Sequence, residues 1–173
     1  VKLTYRTETI EGVVLDFNTA WVLLAVAKDY QLDGYKVIRN QGIERILMGE
    51  REHYAELVLA QRGVHIPAPE RIRLDSLENL VADITDRYGV FGLEEERSDM
   101  WWLGSFQSYT AKALVINDLD PRGFWNTKRE AGDIRIGPSR TRRFQPWRIR
   151  MVEFGSDYIK ALKFVAELRQ THK

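Results

Sequence analysis

The chain contains one segment twice, and this constrains its fold more than any other feature. Setting Gly12 against Gly104 lays GVVLDFNTAWVLL over GSFQSYTAKALVI without a gap. Val14 then meets Phe106, Phe17 meets Tyr109, Val22 meets Leu114 and Leu24 meets Ile116. A turn follows in each copy, LDGY at Leu32–Tyr35 and LDPRGFW at Leu119–Trp125. The copies realign at IERILMG (Ile43–Gly49) and IRMVEFG (Ile149–Gly155), and each then enters a helical pattern through HYAEL or DYIKAL. Four coincidences in one order, differing only in loop length, indicate duplication of a unit of about 50 to 70 residues.

Within each copy the signals are β. Residues 10–17 and 20–27 are rich in Val, Leu, Phe and Trp, with Asn18-Thr19 as the turn between them. Asp33-Gly34 reads as a second turn, because glycine accepts positive φ. Tyr35–Ile38 alternates imperfectly, Asn40-Gln41-Gly42 interrupts, and Ile43–Met48 resumes. Several short strands in so few residues predict a small, strongly bent barrel or sheet, and closure hides strand edges. Helices punctuate the copies. Tyr54, Leu57, Val58 and Gln61 share one face, and Gly63 stands as the stop. A central helix is predicted with Asp75 as cap, Glu78 reaching back, an apolar stripe of Leu77, Leu80, Val81, Ile84 and Tyr88, and Gly89 as its end. A last helix starts near Ser156-Asp157 and carries Tyr158, Leu162 and Val165 on one side. Ile66-Pro67-Ala68-Pro69 reads as an extended linker. The expected division is a first barrel with its helix over 1–62, a proline linker and central helix over 63–89, and a second barrel with a C-terminal helix over 90–173.

Composition excludes whole classes. The 173 residues are 44% hydrophobic and 29% charged, which is a folded chain rather than a disordered, collagenous or coiled-coil one. Cysteine is absent, so there is no disulfide framework, thiolate metal site or thiol nucleophile. The longest apolar run, Trp21–Ala27, is too short to span a bilayer, and Val1-Lys2-Leu3-Thr4 lacks a signal-peptide h-region. A cytoplasmic protein without a membrane partner is the expectation.

A copy that reads Gly-x-Val, an aromatic three residues on, a β-rich run and then Ile-Arg-x-x-x-Ile-x-x-Ile resembles the Sm-like (LSm) small barrel. Gly12, Val14 and Phe17 match its first signature, and Ile38–Ile46 match the second in shape. The second copy keeps the outline in Gly104, Phe106, Tyr109, Ile149 and Val152. The chain also resembles uncharacterised bacterial proteins with two such barrels in tandem. The resemblance implies a mainly β fold with α (α+β): two tandem small bent barrels, each followed by a helix, joined by a linker and a central helix. It further implies association through strand edges and binding of single-stranded RNA, with Arg39 at the position of the base-contacting Arg. Val22 and Leu114 stand where the family carries a base-contacting Asn, and Asn40 replaces a glycine.

Lys plus Arg total 26 against 25 Asp plus Glu, but the distribution is uneven. Between Asn126 and Arg150 eight cations face two carboxylates, a net of +6 that leaves −5 for the remainder. Glycines and prolines mark this stretch as loop or hairpin, and Trp125, Phe144 and Trp147 interleave aromatics with it. Arginines neutralise phosphates and aromatic faces stack on unpaired bases. Lys128, Arg129, Arg140, Arg142, Arg143, Phe144, Trp147, Arg148 and Arg39 are therefore the candidate contacts to single-stranded RNA or another polyanion. The bland alternative is a basic hairpin paired with acidic groups such as Glu94-Glu95-Glu96, which otherwise face solvent. Trp101 and Trp102 fall on opposite faces of a strand, one in the core and the other either packed under a helix or exposed as a stacking platform. Asp118-x-Asp120 resembles a metal motif, but Asp120 mirrors Asp33 before a turn glycine, so a turn role explains both. His53, His65 and His172 are scattered without metal-ligand spacing. No phosphate loop, dinucleotide fingerprint, nucleophile elbow or zinc-helix motif is present. The expected function is non-catalytic binding without a cofactor: polyanion contact through the basic insert, or a protein-interaction or scaffold module, including a homo-oligomer, acting through strand edges.

Overall fold

A computed structural model describes residues 2–5, 8–66, 69, 71–96, 98, 100–125 and 141–171. Among the described residues ten strands and three helices make an α+β arrangement. In chain order they are β1 (Lys2–Tyr5), β2 (Glu8–Phe17), β3 (Trp21–Lys28), β4 (Gln31–Arg39), β5 (Ile43–Leu47), α1 (Glu50–Gln61), α2 (Leu77–Tyr88), β6 (Phe91–Glu95), β7 (Trp101–Thr110), β8 (Ala113–Leu119), β9 (Thr141–Phe144), β10 (Ile149–Phe154) and α3 (Asp157–Thr171). Single 3-10 turns at Asn40–Gly42 and Pro146–Arg148 lead into β5 and β10.

All strand pairs are antiparallel, in the order β5-β1-β2-β3-β4-β10-β6-β7-β8-β9. Eight strands, from β2 to β9 in that order, make the main sheet. β1 and β5 continue from the first half of β2, which pairs with β1 through Glu11 and with β3 from Gly12 onward. The first five strands in this order repeat in the last five: β5-β1-β2-β3-β4 corresponds to β10-β6-β7-β8-β9. Register is repeated too. Gly12, Val14 and Phe17 face Val26, Leu24 and Val22, while Gly104, Phe106 and Tyr109 face Asp118, Ile116 and Leu114. Both ladders slip at the same step, between Val14 and Asp16 and between Phe106 and Ser108. The closing strands match likewise, Ile46 opposite Leu3 and Val152 opposite Leu93.

The strands do not close into the two tandem small barrels expected. The units share one open sheet, because β4 of the first pairs with β10 of the second, Val37 against Val152 and Tyr35 against Phe154. An edge that pairs needs no closure to satisfy its backbone groups. β5 and β9 remain as the two outer edges.

Glycine is required at one point of each unit. A Cβ on Gly12 would collide with the carbonyl oxygen of Ala25, and one on Gly104 with that of Asn117. These are equivalent positions, where β2 and β7 bend tightly over their partners.

The central helix has the predicted stripe. Leu77, Leu80, Val81 and Ile84 are buried with Leu93, Leu114, Ile116, Val152 and Phe154, and with Trp21, Leu23 and Val37 of the first unit. α2 therefore fills the concavity of the second unit and also lies against the outer face of the first. Its cap is Ser76 rather than Asp75: Ser76 Oγ accepts from the Asn79 amide at 3.1 Å, and Asp75 holds the Asn79 side chain at 2.9 Å. Gly89 ends the helix at φ 82°, as predicted. Ahead of it, Arg73 clamps Asp83 through two side-chain contacts of 2.6 and 2.9 Å, and the Arg73 amide donates to the same carboxylate at 2.9 Å.

Three local expectations change. Asp33-Gly34 is a bulge inside β4, not a turn; the turn falls at Asp29-Tyr30, both at positive φ. Asp33 instead accepts from the Asp157 amide at 2.8 Å and caps α3. In α1 the predicted face is not the buried one: Tyr54 and Leu57 are exposed and Leu59 is buried. In α3 the buried residues are Ile159, Leu162 and Ala166, packed on Leu103 and Leu119, while Tyr158 is exposed. α1 lies over Glu11 and Ala27, the counterparts of Leu103 and Leu119, which explains its lighter packing.

Gly12→Ala and Gly104→Ala should each destabilise the fold by about 1–3 kcal/mol, read from denaturant midpoints, since the new methyl must displace backbone. Arg73 holds the Asp83 carboxyl below the usual range through its side-chain hydrogen bond. That contribution is present above the unfolded carboxyl value of about 3.9 and is lost as pH falls through the depressed folded value. Asp83→Asn should therefore melt below wild type at pH 7, and the gap should close on acidification below about pH 4.

Candidate functional site

Duplication makes each unit a control for the other, and one surface fails to match. In the second unit Val152 and Phe154 are 0% exposed. Their first-unit counterparts, Ile46 and Met48, are 59% and 78% exposed. Phe17 is 72% exposed, whereas its counterpart Tyr109 is half-buried. Two elements make the difference. β10 is paired on both sides, by β4 and β6, whereas among the described residues β5 is paired only by β1. α2 covers the second unit's concave face, and no helix lies on that face of the first among the described residues.

The result is an apolar groove of 590 Å³ running from Val14, Phe17 and Val22 across to Ile43, Ile46 and Met48. Val22 and Ile43 join its lining to a small buried cluster of Ile10, Val22, Leu24 and Ile38, to which β10 contributes Met151. Glu44 and Arg45 are its charged rim. Covering a side chain such as Ile46, Met48 or Phe17 stabilises a complex by about 1.5–3 kcal/mol. Contiguous exposed apolar surface with a polar rim marks an interaction site. The signal was present in the sequence, where Ile46 and Met48 align with Val152 and Phe154, but exposure is not visible in an alignment.

The basic residues divide into two groups. Arg39 serves the fold: its guanidinium donates to the carbonyls of Ile149 at 2.8 Å and Pro146 at 3.0 Å and lies 4.3 Å above the Trp21 ring. It thereby ties the first unit to the turn before β10. Arg142 lies on β9, within the stretch expected as loop or hairpin. Its Nε is 3.0 Å from Asp118, and its guanidinium stacks 3.5 Å from the centroid of Trp102. Arg150 pairs with Glu94, so that carboxylate is part of the sheet and not a solvated one. Phe144 is buried. Arg143 and Arg148 are exposed, and Trp147 is 57% exposed on the turn between β9 and β10. Lys128, Arg129 and Arg140 lie outside the described residues.

Neither tryptophan of the pair is a free platform. Trp102 faces Arg142 and Phe144, and Trp101 packs under α3, 5.8 Å from Tyr158. Asp120 has the predicted turn role, accepting from the amides of Arg122 at 2.8 Å and Phe124 at 3.0 Å. Among the described residues no group of three or more His, Asp or Glu is placed to hold a metal, and no helix is long and apolar enough to cross a membrane.

Arg142→Ala should lower stability by about 1–3 kcal/mol, because Asp118 is nearly buried and loses its cation while Trp102 loses its cover. Thermal melting beside Arg143→Ala, which should change little, checks this. Comparison with protein-family models, with curated proteins and with solved structures returns no match.

Proposed function

We propose that this protein is a non-catalytic protein-interaction module, built from two tandem Sm-like units and recruiting its partner through the open side of the first. The shared strand order and register of the two units support their reading as a duplicated unit, and the likeness of that unit to the Sm-like barrel rests on its sequence signatures. The observation that carries the function is the mismatch between exposed Ile46 and Met48 and their fully buried counterparts Val152 and Phe154. A surface that one unit needs covered is left uncovered in the other.

The two outer edges are not complementary to each other. Repeating the β4–β10 register between β9 of one molecule and β5 of another would set Ile46 against Arg143 and Leu47 against Arg142. Charged residues on an edge discourage such pairing. The partner is thus a different chain rather than an endless series of copies.

The second reading is polyanion binding, favoured by exposed Trp147 between the exposed Arg143 and Arg148. It predicts single-stranded RNA binding that quenches tryptophan fluorescence and weakens steeply with salt.

One purification separates the readings. The interaction reading expects an absorbance ratio of protein alone, and a second protein chain that co-purifies with the wild type and is lost from Ile46→Lys. A particle of single-chain mass that binds oligouridine, with affinity lost in Arg143→Ala/Arg148→Ala, would replace it with the polyanion reading.

A further inference from the structure

Resting on the interaction reading above, we propose that the first unit's groove receives an amphipathic helix of the partner protein, seated as α2 is seated on the second unit. The chain supplies the template. α2 presents Leu77, Leu80, Val81 and Ile84, at i, i+3, i+4 and i+7, to a face that includes Val152 and Phe154. The equivalent face of the first unit carries Ile46 and Met48, with Val14 and Phe17 in the places of Phe106 and Tyr109. α1 does not cover it, because it lies on the opposite face, over Glu11, Val13 and Ala27.

The breadth of the groove selects a helix over a strand. Ile46 of β5, Leu3 of β1 and Ile10 of β2 lie in register across the sheet, and Val14 and Phe17 lie further along β2. Two strand spacings amount to about 10 Å, the diameter of a helix with its side chains. A strand added to the edge of β5 would lie beyond Ile46 and leave Phe17 in water. A helix laid across the face covers both sides of the groove at once.

The template also specifies one polar contact. The Phe106 amide donates to Thr85 Oγ1 of α2 at 2.9 Å. Val14 occupies that position in the first unit, at the same step of the same bulge. The helix recognised is thus one with four apolar residues at α2 spacing and a Ser or Thr directly after the last, as Thr85 follows Ile84.

The test uses the full chain and two labelled synthetic peptides, followed by fluorescence anisotropy. One is this chain's own helix sequence, residues 75–89; the other is the edge sequence Tyr35–Gln41, which reports strand addition. The helix peptide should bind saturably. Its affinity should fall at least tenfold with Phe17→Asp and severalfold with Met48→Gln in the protein, and severalfold with Thr85→Val in the peptide. Met48 is exposed enough that its variant should keep the wild-type melting temperature, so weaker binding there reports the groove. Binding of the edge peptide alone would overturn the helix and leave the interaction reading standing. Binding of neither would overturn both, and helix binding unchanged by Phe17→Asp and Met48→Gln would place it elsewhere and overturn the groove.

Discussion

The joint between β4 and β10 is the contact on which the rest of this molecule depends. It converts two half-open units into one sheet by pairing backbone that would otherwise face water. Its side chains make it more than a ladder. Tyr35 stacks on Phe154 at 5.1 Å, and Tyr88 of α2 meets Phe154 edge-on at 4.8 Å. Lys36 and Glu153 pair across it at 3.6 Å. Two further contacts lock its ends: Arg39 reaches the carbonyls of Pro146 and Ile149 at the start of β10, and Asp33 caps the helix after it. Gly34 is needed there because a side chain would strike the backbone of Phe154, Gly155 and Ser156. A single joint thus orders β10, sets the start of α3 and holds α2 between the units.

Much of this was legible in the sequence. An alignment pairing Gly12 with Gly104 and Ile43 with Ile149 anticipates the strand register, because duplicated strands keep duplicated partners. The α2 stripe and its closing glycine were readable for the same local reason: helical period and positive φ are properties of neighbours in the chain. What was not readable depends on distant residues. Asp33-Gly34 has the composition of a turn, and only the α3 start, 124 positions away, makes it a bulge and a cap. The face of α1 was misjudged because its sheet surface offers Glu11 and Ala27 where the second unit offers two leucines. The basic run reads as either free or paired with Glu94-Glu95-Glu96; Arg150 meets Glu94 as the second reading has it, while Arg142 meets Asp118, which only the β8–β9 pairing brings near.

The charge balance therefore has a structural meaning. The cations on β9 and β10 do not form one field: some neutralise carboxylates of the same sheet, and Arg39 and Arg142 cover tryptophan faces. Only those on the β9 surface and its following turn stay in solvent. That spread weakens the case for a nucleic-acid surface among the described residues. It leaves the apolar groove of the first unit as the largest departure from what a self-contained fold needs.

The same comparison explains why the joint is made once. On the outer face of the first unit, Trp21, Leu23, Ala25, Tyr35 and Val37 are buried against α2 and the second unit. Their counterparts on the second unit are Ala113, Val115, Asn117, Thr141 and Arg143. A third unit docked there would meet Asn117, Thr141 and Arg143 in place of Ala25, Tyr35 and Val37. Among the described residues the opposite end has no such terminator. β5 carries Ile46 and Leu47 on an edge that no described strand pairs, and the groove beside it keeps the apolar character that its counterpart uses for packing. One end of the duplicated sheet has diverged toward water, and the other has kept the chemistry of an interface.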